Sequence, residues 1–313
     1  TRFAVFHGGD RMLYSSGTTI STLWVTERRP DGTWSDRRLL SGTFRLRHPR
    51  LSPDGRRVAV GQRLGGSAYV TVVSLENGSS RQFAAGSATA RWISWSPDGR
   101  QIAYEAGEGA ASRVWCLDLA TGVSRILSRR ASRGYIYWYP DSRLRYQPSE
   151  SADQNYSFLV PSTGEEASLL AGPSRGSLFQ SSISPDGRWM AAAGNRNGVE
   201  GVAVWLINLE DQSERLLLSL TAAPIGWSED GAWVYLSRRM KEESSIEADV
   251  NRVLRVSVRD GRIEPLVELP AGDLVYWTDV DVSPAGREIV SAITQPASDI
   301  WLTEVEAAEA VLQ

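Results

Sequence analysis

The pentapeptide Ser-Pro-Asp-Gly-Arg occurs three times in this chain, at residues 52–56, 96–100 and 184–188. Its proline presets φ for a turn, and its aspartate can hydrogen bond back to the backbone. Its glycine accepts the left-handed conformation that closes a tight hairpin. Each copy therefore predicts a reversal between two antiparallel strands.

Degenerate copies of the pentapeptide extend the pattern along the chain. They are Phe-His-Gly-Gly-Asp-Arg at 6–11, Tyr-Pro-Asp-Ser-Arg at 139–143, Trp-Ser-Glu-Asp-Gly at 227–231 and Val-Ser-Pro-Ala-Gly-Arg at 282–287. The fourth positions of the seven copies are Asp10, Gly55, Gly99, Ser142, Gly187, Gly231 and Gly286, with spacings of 45, 44, 43, 45, 44 and 55 residues. A fixed period of this length is typical of repeat architectures.

Each unit contains four short segments with strand-like patterning. In the unit around residues 96–100 they are 91–95, 101–104, 113–117 and 124–127. A second hairpin signal, such as Asn77-Gly78 or Thr121-Gly122, separates the last two strands of a unit. Four strands in about 44 residues are typical of a propeller blade. We therefore predict an all-β, seven-bladed β-propeller of four-stranded antiparallel blades, forming a single domain over residues 1–313.

The two ends of the chain predict how the ring closes. Residues 2–6 read as an inner strand, and residues 288–292, 299–303 and 309–313 read as the last three strands of a final blade. Each terminal blade would then be complete by itself. We therefore expect closure without strand exchange between the termini.

An apolar residue precedes every turn motif. The seven residues are Phe6, Leu51, Trp95, Trp138, Ile183, Trp227 and Val282. Their recurrence at the repeat spacing predicts packing between neighbouring blades, where burial of large aromatic side chains is most stabilising. The alternative for the 12 tryptophans is an aromatic-lined ligand site.

Composition excludes several functional classes. A net charge of −3 does not favour nucleic acid, and no apolar run is long enough to cross a membrane. Of 34 basic residues only Lys241 is lysine, an excess of arginine that is typical of GC-rich codon usage. One cysteine and two histidines do not favour a metal site. The pattern G-x-S-x-G occurs at residues 172–176, but the sequence predicts no α/β region that would hold it on the strand-to-helix turn of a serine hydrolase. We therefore expect no cofactor, metal or catalytic residue.

Loop lengths distinguish the two faces of the ring. Turns on the Ser-Pro-Asp-Gly face are short and uniform, whereas loops on the other face vary. The variable loops are 17–22, 61–68, 107–112, 149–155, 195–200 and the expanded 238–251. Variable loops on a rigid scaffold are where binding usually occurs, so we expect the functional surface there.

The inner strands place a set of side chains at the mouth of the central channel on this variable face. We align the inner strands at the position four residues before the first residue of each turn motif. The residues at this position are His48, Trp92, Tyr135, Gln180 and Asp279, together with Phe3 and Pro224. The neighbouring residues are Arg47, Arg91, Arg133 and Trp277. Aromatic surfaces with convergent polar groups suit a ligand or peptide pocket. The alternative is that these side chains line a solvated channel.

Asp279 and Asp281 could bind a cation or act as an acid pair, but a structural role is the favoured interpretation.

The repeat resembles that of TolB-type, WD-like propellers. The resemblance rests on the repeated turn motif followed by Val114-Trp-Cys-Leu-Asp-Leu-Ala-Thr-Gly122 and by Asp299-Ile-Trp-Leu-Thr303, and it covers essentially the whole chain. The closing string Ser298-Asp-Ile-Trp-Leu302 is similar to the ends of propellers fused to bacterial serine/threonine kinases or winged-helix regulators. The repeat is specific for the fold and is shared by proteins of different function.

The resemblance implies a ligand- or protein-binding sensor or scaffold propeller, without enzymatic activity of its own. It would form the periplasmic or extracytoplasmic part of a larger bacterial signalling protein. Its partner would be a protein, a peptide or a small ligand at the channel mouth, with no nucleic acid and no membrane insertion of this segment. The alternatives are a polysaccharide-active propeller enzyme and the gating propeller of a prolyl-oligopeptidase-like peptidase.

Overall fold

A computed structural model describes most of the chain as antiparallel sheet. The described residues are 2–5, 11–86, 89–128, 130–132, 134, 136–148, 157–161, 164–168, 178–196, 199–240, 250–270, 273–274 and 279–304. Within these ranges the one helical element is a 3₁₀ turn at Gly109–Ala111. The all-β prediction is confirmed.

The chain begins with three strands of a sheet that it completes only at its other end. These strands are β1 (Arg2–Val5), β2 (Arg11–Arg28) and β3 (Trp34–Gly42).

Five four-stranded sheets follow in the described part of the chain, and we call them blades 1 to 5. Blade 1 contains β4 (Arg45–Leu51), β5 (Arg57–Leu64), β6 (Ser67–Ser74) and β7 (Ser80–Ala84). Blade 2 contains β8 (Arg91–Trp95), β9 (Gln101–Ala106), β10 (Arg113–Asp118) and β11 (Ser124–Ile126). Blade 3 contains β12 (Tyr137–Trp138), β13 (Leu144–Tyr146), β14 (Ser157–Val160) and β15 (Glu165–Ser168). Blade 4 contains β16 (Leu178–Ile183), β17 (Trp189–Gly194), β18 (Ala203–Asn208) and β19 (Glu214–Leu218). Blade 5 contains β20 (Ala223–Trp227), β21 (Trp233–Met240), β22 (Val250–Ser257) and β23 (Ile263–Glu268).

The remaining sheet joins the two ends of the chain, and we call it the closing sheet. Its C-terminal strands are β24 (Asp273–Leu274), β25 (Val280–Val282) and β26 (Glu288–Glu304). β26 pairs with β2 along its entire length, from Glu288 opposite Glu27 to Glu304 opposite Arg11. β25 pairs with the other edge of β26, and β3 with the other edge of β2. The order β25, β26, β2, β3 thus takes two strands from each end.

The predictions of seven blades and of closure without strand exchange are both wrong. The first and last turn motifs, counted as two units, supply the two halves of one sheet. The predicted loop at residues 17–22 is the middle of β2, and the segment between 292 and 299 is the middle of β26. β-branched residues such as Thr18, Thr19 and Ile20 suit this continuous strand.

The hydrophobic core lies between blades. Trp95 packs in a cluster that combines Val70 and Phe83 of blade 1 with Ile102 and Leu117 of blade 2. Trp227 lies in an equivalent cluster between blades 4 and 5. Each indole also donates a hydrogen bond to the preceding inner strand. Trp95 Nε1 bonds the Arg50 carbonyl at 2.9 Å, and Trp227 Nε1 bonds the Ser182 carbonyl at 3.1 Å. The predicted inter-blade role is confirmed for these two tryptophans.

The turn motif forms a closed hydrogen-bond unit. In its first copy the Ser52 hydroxyl donates to the Asp54 carboxylate at 2.5 Å and accepts from the Arg57 N–H at 3.0 Å. Gly55 has a φ of 67°, the left-handed conformation the motif predicts. Ser142 adopts the same conformation, at φ 67°, in the degenerate copy of the motif in blade 3.

Arginines at the outer strands connect four pairs of neighbouring sheets. Arg37, Arg81, Arg125 and Arg215 each donate to a backbone carbonyl 36 to 43 residues further along, on Leu75, Leu119, Pro161 and Val258. Successive members of the set are 44, 44 and 90 residues apart, which is one or two repeats. Codon usage is therefore an incomplete explanation of the arginine content. These side chains brace the rim of the ring.

Two aspartates of the last inner strand region secure the closing sheet to blade 1. Asp279 accepts a hydrogen bond from the His48 N–H at 2.8 Å, and Asp281 accepts one from the Leu51 N–H at 2.8 Å. Both carboxylates therefore have the structural role that the sequence favoured. They join segments more than 200 residues apart in the chain.

We expect Trp227→Phe to lower the free energy of unfolding by about 1–3 kcal/mol, because the buried Ser182 carbonyl loses its inter-blade donor. Chemical denaturation monitored by circular dichroism measures the change. Trp233→Phe, at a partly exposed indole of blade 5 whose ring faces Arg255 and Arg262, is the matched control and should change stability by less than about 0.5 kcal/mol. Equal losses in the two variants would contradict the inter-blade role.

A second prediction concerns the pH dependence of stability. Burial raises the pKa of Asp281 from 3.8 to about 6, against the lowering effect of Arg50. Between these values the folded chain holds a proton that the unfolded chain has released, so the free energy of unfolding falls as the pH rises. Asp281→Asn should remove this slope and be at least as stable as the wild type at pH ~7.5, since the amide oxygen can still accept from Leu51.

The control for Asp281→Asn is a turn aspartate with the opposite shift. Hydrogen bonds from Ser96 and from the Arg100 N–H lower the pKa of Asp98. Asp98→Asn should therefore destabilise the protein at neutral pH, with a difference from wild type that disappears in acid. Stability curves measured from acid to neutral pH test both variants. A slope in Asp281→Asn identical to that of the wild type would refute the assignment.

Candidate functional site

A β-bulge interrupts the inner strands at the aligned positions from which the site was predicted. The register shifts between Arg47 and Arg50 in blade 1 and between Arg91 and Ser94 in blade 2. Equivalent shifts occur between 178 and 181 in blade 4 and between 224 and 226 in blade 5. A bulge leaves a residue outside the ladder and redirects its side chain. In these four blades the repeat thus redirects side chains at the channel mouth.

His48 and Trp92 occupy these bulges in blades 1 and 2. Their φ angles are 51° and 55°, in the left-handed region that residues with a Cβ rarely adopt. Such a conformation costs of order 1 kcal/mol or more for each residue. Hydrogen bonds hold it in place, since the His48 N–H donates to Asp279 and the Trp92 N–H donates to His48 Nδ1 at 3.3 Å.

The two rings stack on one another. Their centroids are 4.5 Å apart and their planes are inclined by 25°. The other side of the Trp92 indole contacts the backbone at Gly134. A Cβ on Gly134 would come within 2.2 Å of Trp92 Nε1, so this position requires glycine. The Trp92 indole therefore lies between His48 and the backbone of blade 3's leading segment. It is a rigid aromatic surface.

His48 is neutral and its tautomer is defined. Burial, followed by the positive charges of Arg50, Arg47 and Arg91, lowers its pKa well below 6.5. Because Nδ1 accepts the Trp92 N–H, the ring proton resides on Nε2.

A buried glutamate fixes the arginine beside Trp92. Arg91 Nε lies 2.7 Å from Glu105 Oε1, across the β8–β9 pair, and the Glu105 side chain is only 1% exposed. The Ser132 hydroxyl donates to the second carboxylate oxygen at 3.1 Å. Burial raises the pKa of Glu105, and the Arg91 ion pair opposes that shift.

These groups border a pocket of about 300 Å³ between blades 1 and 2, on the variable face. We call it the arginine pocket. Its lining residues are Arg45, Arg47, His48, Gly61, Gln62, Arg63, Thr89, Ala90, Arg91 and Trp92. Gly61 permits the close approach of the two blades, because a Cβ there would meet the Ala90 carbonyl oxygen at 2.1 Å. The pocket combines four guanidinium groups with one aromatic pair.

The structure brings together four of the nine predicted site residues. His48, Trp92, Arg47 and Arg91 line the arginine pocket. Asp279 is fully buried behind His48.

Gln180 and the three remaining residues do not belong to this group. Gln180 is buried on the far side of the ring, lines the central channel and donates to the Pro224 carbonyl at 3.3 Å. Tyr135, Arg133 and Trp277 lie outside the described residues.

Sequence reasoning missed Arg45, Arg63 and Gln62. A signal was present for the first of these, since Arg45 and Arg47 are two apart on one strand and share a face. Arg63 pairs directly with Arg45 across the β4–β5 ladder, a register that the sequence alone does not specify. The Gln62 side chain accepts from Thr71 and Gln82 inside blade 1.

The described residues contain no group of three or more His, Cys, Asp or Glu residues arranged to hold a metal ion. Among the same residues there is also no helix with the length and apolarity needed to cross a membrane.

Comparison with known proteins identifies the fold. No model of a protein family matches the sequence, and no curated protein does so. Among solved structures, a protein described as TolB from Agrobacterium tumefaciens has a TM-score of 0.69 at 20% identity, over 90% of this chain and 100% of that one. TolB from Acinetobacter baumannii has a TM-score of 0.61 at 15% identity, over 90% of this chain and 66% of that one. An oligogalacturonate lyase from Vibrio parahaemolyticus has a TM-score of 0.58 at 12% identity, over 88% of this chain and 98% of that one. At these identities the similarity establishes the fold alone, and the chain has a TolB-like β-propeller fold.

Proposed function

We propose that this chain is a binding propeller whose ligand or protein partner enters the arginine pocket. The observation that carries the proposal is the His48–Trp92 stack, which is held by hydrogen bonds in a backbone conformation that is unfavourable by itself. Strained backbone held in place by its surroundings is characteristic of binding and catalytic sites. A rigid aromatic surface gives contact area with little loss of conformational entropy.

The titratable groups around the pocket favour binding over catalysis. His48 is buried and neutral, and its Nδ1 is engaged by the Trp92 N–H. Glu105 is buried behind Arg91 and ion-paired with it. Glu105 is not among the residues that line the pocket, and the pKa of His48 is lowered well below 6.5 by burial and by the neighbouring arginines, away from the near-neutral value that suits a general acid or base. We therefore propose that the chain has no enzymatic activity of its own.

The wider context is a separate part of the proposal. The similarity of residues 298–302 to the ends of kinase- and regulator-linked propellers supports a role as the periplasmic or extracytoplasmic sensor of a bacterial signalling protein. We expect the full coding sequence to contain a kinase or winged-helix domain and one membrane helix. An adjoining hydrolase domain would support the gating-propeller alternative.

The binding proposal is tested by screening the protein against a hexapeptide array and an oligosaccharide array, with the affinities of hits measured by calorimetry. Trp92→Ala should weaken the hits about tenfold or more, because it removes the aromatic wall. His48→Ala should weaken them as well, since it removes the ring against which Trp92 stacks. Mass spectrometry should recover each hit chemically unchanged.

Trp233→Ala is the matched control, since this tryptophan lies on blade 5 at the turn face. It should leave the affinities unchanged while circular dichroism reports the propeller fold in all three variants. Hits that bind Trp92→Ala and the wild type equally would refute the choice of site. Turnover of a hit that needs Trp92 would establish the enzyme alternative.

A further inference from the structure

The arginines of the pocket are brought together by strand register. Arg45 on β4 is paired directly with Arg63 on β5. Arg47 is two residues from Arg45 on the same strand, and Arg91 begins β8 of the next blade. All four side chains line one pocket. Arg45 and Arg63 are exposed at its rim, and Arg47 and Arg91 are partly buried deeper within it.

This arrangement is unfavourable for the protein alone. Like charges directly opposite one another on neighbouring strands destabilise a sheet. Among the described residues that line the pocket none is acidic, and Glu105 pairs only with Arg91. The positive potential is also felt by His48, whose pKa is lowered in part by Arg50, Arg47 and Arg91. An anion in the pocket would offset this repulsion.

The chemistry of the lining selects the kind of anion. Phosphate groups are commonly held by helix N-termini or by series of backbone N–H groups. Eight of the ten lining residues lie on strands, and Thr89 and Ala90 directly precede β8. The N–H groups of the two bulged residues already bond Asp279 and His48. Recognition is left to guanidinium groups, which form paired hydrogen bonds with carboxylates and with phosphates. Because the described lining residues include no helix N-terminus, the arrangement favours the carboxylate. A volume of about 300 Å³ accommodates a group the size of one sugar or one amino-acid residue.

We propose that the arginine pocket binds a carboxylate, with Arg45, Arg47, Arg63 and Arg91 around the anion and Trp92 against its apolar portion. This inference rests on the proposed function and specifies its ligand class. The carboxylate belongs either to an acidic side chain of a peptide or to an acidic sugar, two sources that present the same group.

Calorimetry with two matched pairs of probes tests the inference and separates the sources. The pairs are hexaglutamate with hexaglutamine, and a uronic acid disaccharide with its methyl ester. The acidic member of at least one pair should bind at least tenfold more tightly than its neutral counterpart. Its affinity should fall as salt is added, because the pocket charges are screened. The pair that shows the difference identifies the source.

Replacing the rim arginines separates a role in binding from a role in stability, because the two roles predict opposite changes in melting temperature. Arg45→Gln and Arg63→Gln should each weaken the acidic probe about tenfold. Without ligand, each should leave the melting temperature unchanged or raise it by about 1 °C, since a like-charge pair is relieved. Arg188→Gln, an exposed arginine on the turn face, should affect neither measurement.

Three results would overturn the inference. Equal binding of acidic and neutral probes that still depends on Trp92 would refute the carboxylate while leaving the proposed function intact. Acidic probes that bind Arg45→Gln and Arg63→Gln as tightly as the wild type, or inorganic phosphate that competes at lower concentration than the acidic probe, would also refute it. If no probe depends on Trp92, both the inference and the proposed function fail.

Discussion

The pairing of β2 with β26 is the interaction on which the rest of the structure depends. Each blade buries its apolar faces against its neighbours, as the cluster around Trp95 demonstrates, so a ring with a gap would expose two such faces to water. The closing sheet fills that gap with strands from both ends, and its residues Leu23 and Val290 pack directly on Val58 of blade 1. The carboxylates of Asp279 and Asp281 then join the same two sheets near the channel.

Closure also positions the candidate site. Asp279 lies next to the inner strand of the closing sheet and accepts from His48, which in turn accepts from Trp92. The conformation of the aromatic pair in blades 1 and 2 is therefore coupled to a residue near the C-terminal end of the ring. Because the hydrogen bonds pass through backbone N–H groups at two bulges, the arrangement depends on the relative placement of three sheets. A complete ring is thus a condition for the site as well as for stability.

Local signals in the sequence were sufficient for the all-β class, for the hairpins within the blades and for part of the site, but not for the number of blades. The turn motif predicted the glycine conformation at Gly55 and the reversal around it, because its chemistry is contained within five residues. Alignment of the inner strands likewise placed His48 and Trp92 together, since the bulge recurs at the repeat spacing. Closure was mispredicted because the segments at the two ends of the chain each resemble a complete blade, and the pairing of β2 with β26 is set by contacts that no local signal specifies. Arg63 was missed for the same reason, since its partner is defined by register.

Two groups of arginines in this chain have opposite effects on folding, and the sequence does not distinguish them. Those at the rim, such as Arg81 and Arg125, donate hydrogen bonds to backbone carbonyls of the next blade. The dipoles of these carbonyls stabilise part of the arginines' positive charge. Those of the pocket face one another, as Arg45 and Arg63 do, and their repulsion opposes folding. A protein retains such an unfavourable cluster when function requires it, because surface substitutions that relieve it are readily available. The same reasoning applies to the bulges, where two bulky residues adopt a conformation suited to glycine. Strain and like charge therefore coincide at one pocket, and each is an independent reason to regard that pocket as the functional part of the ring.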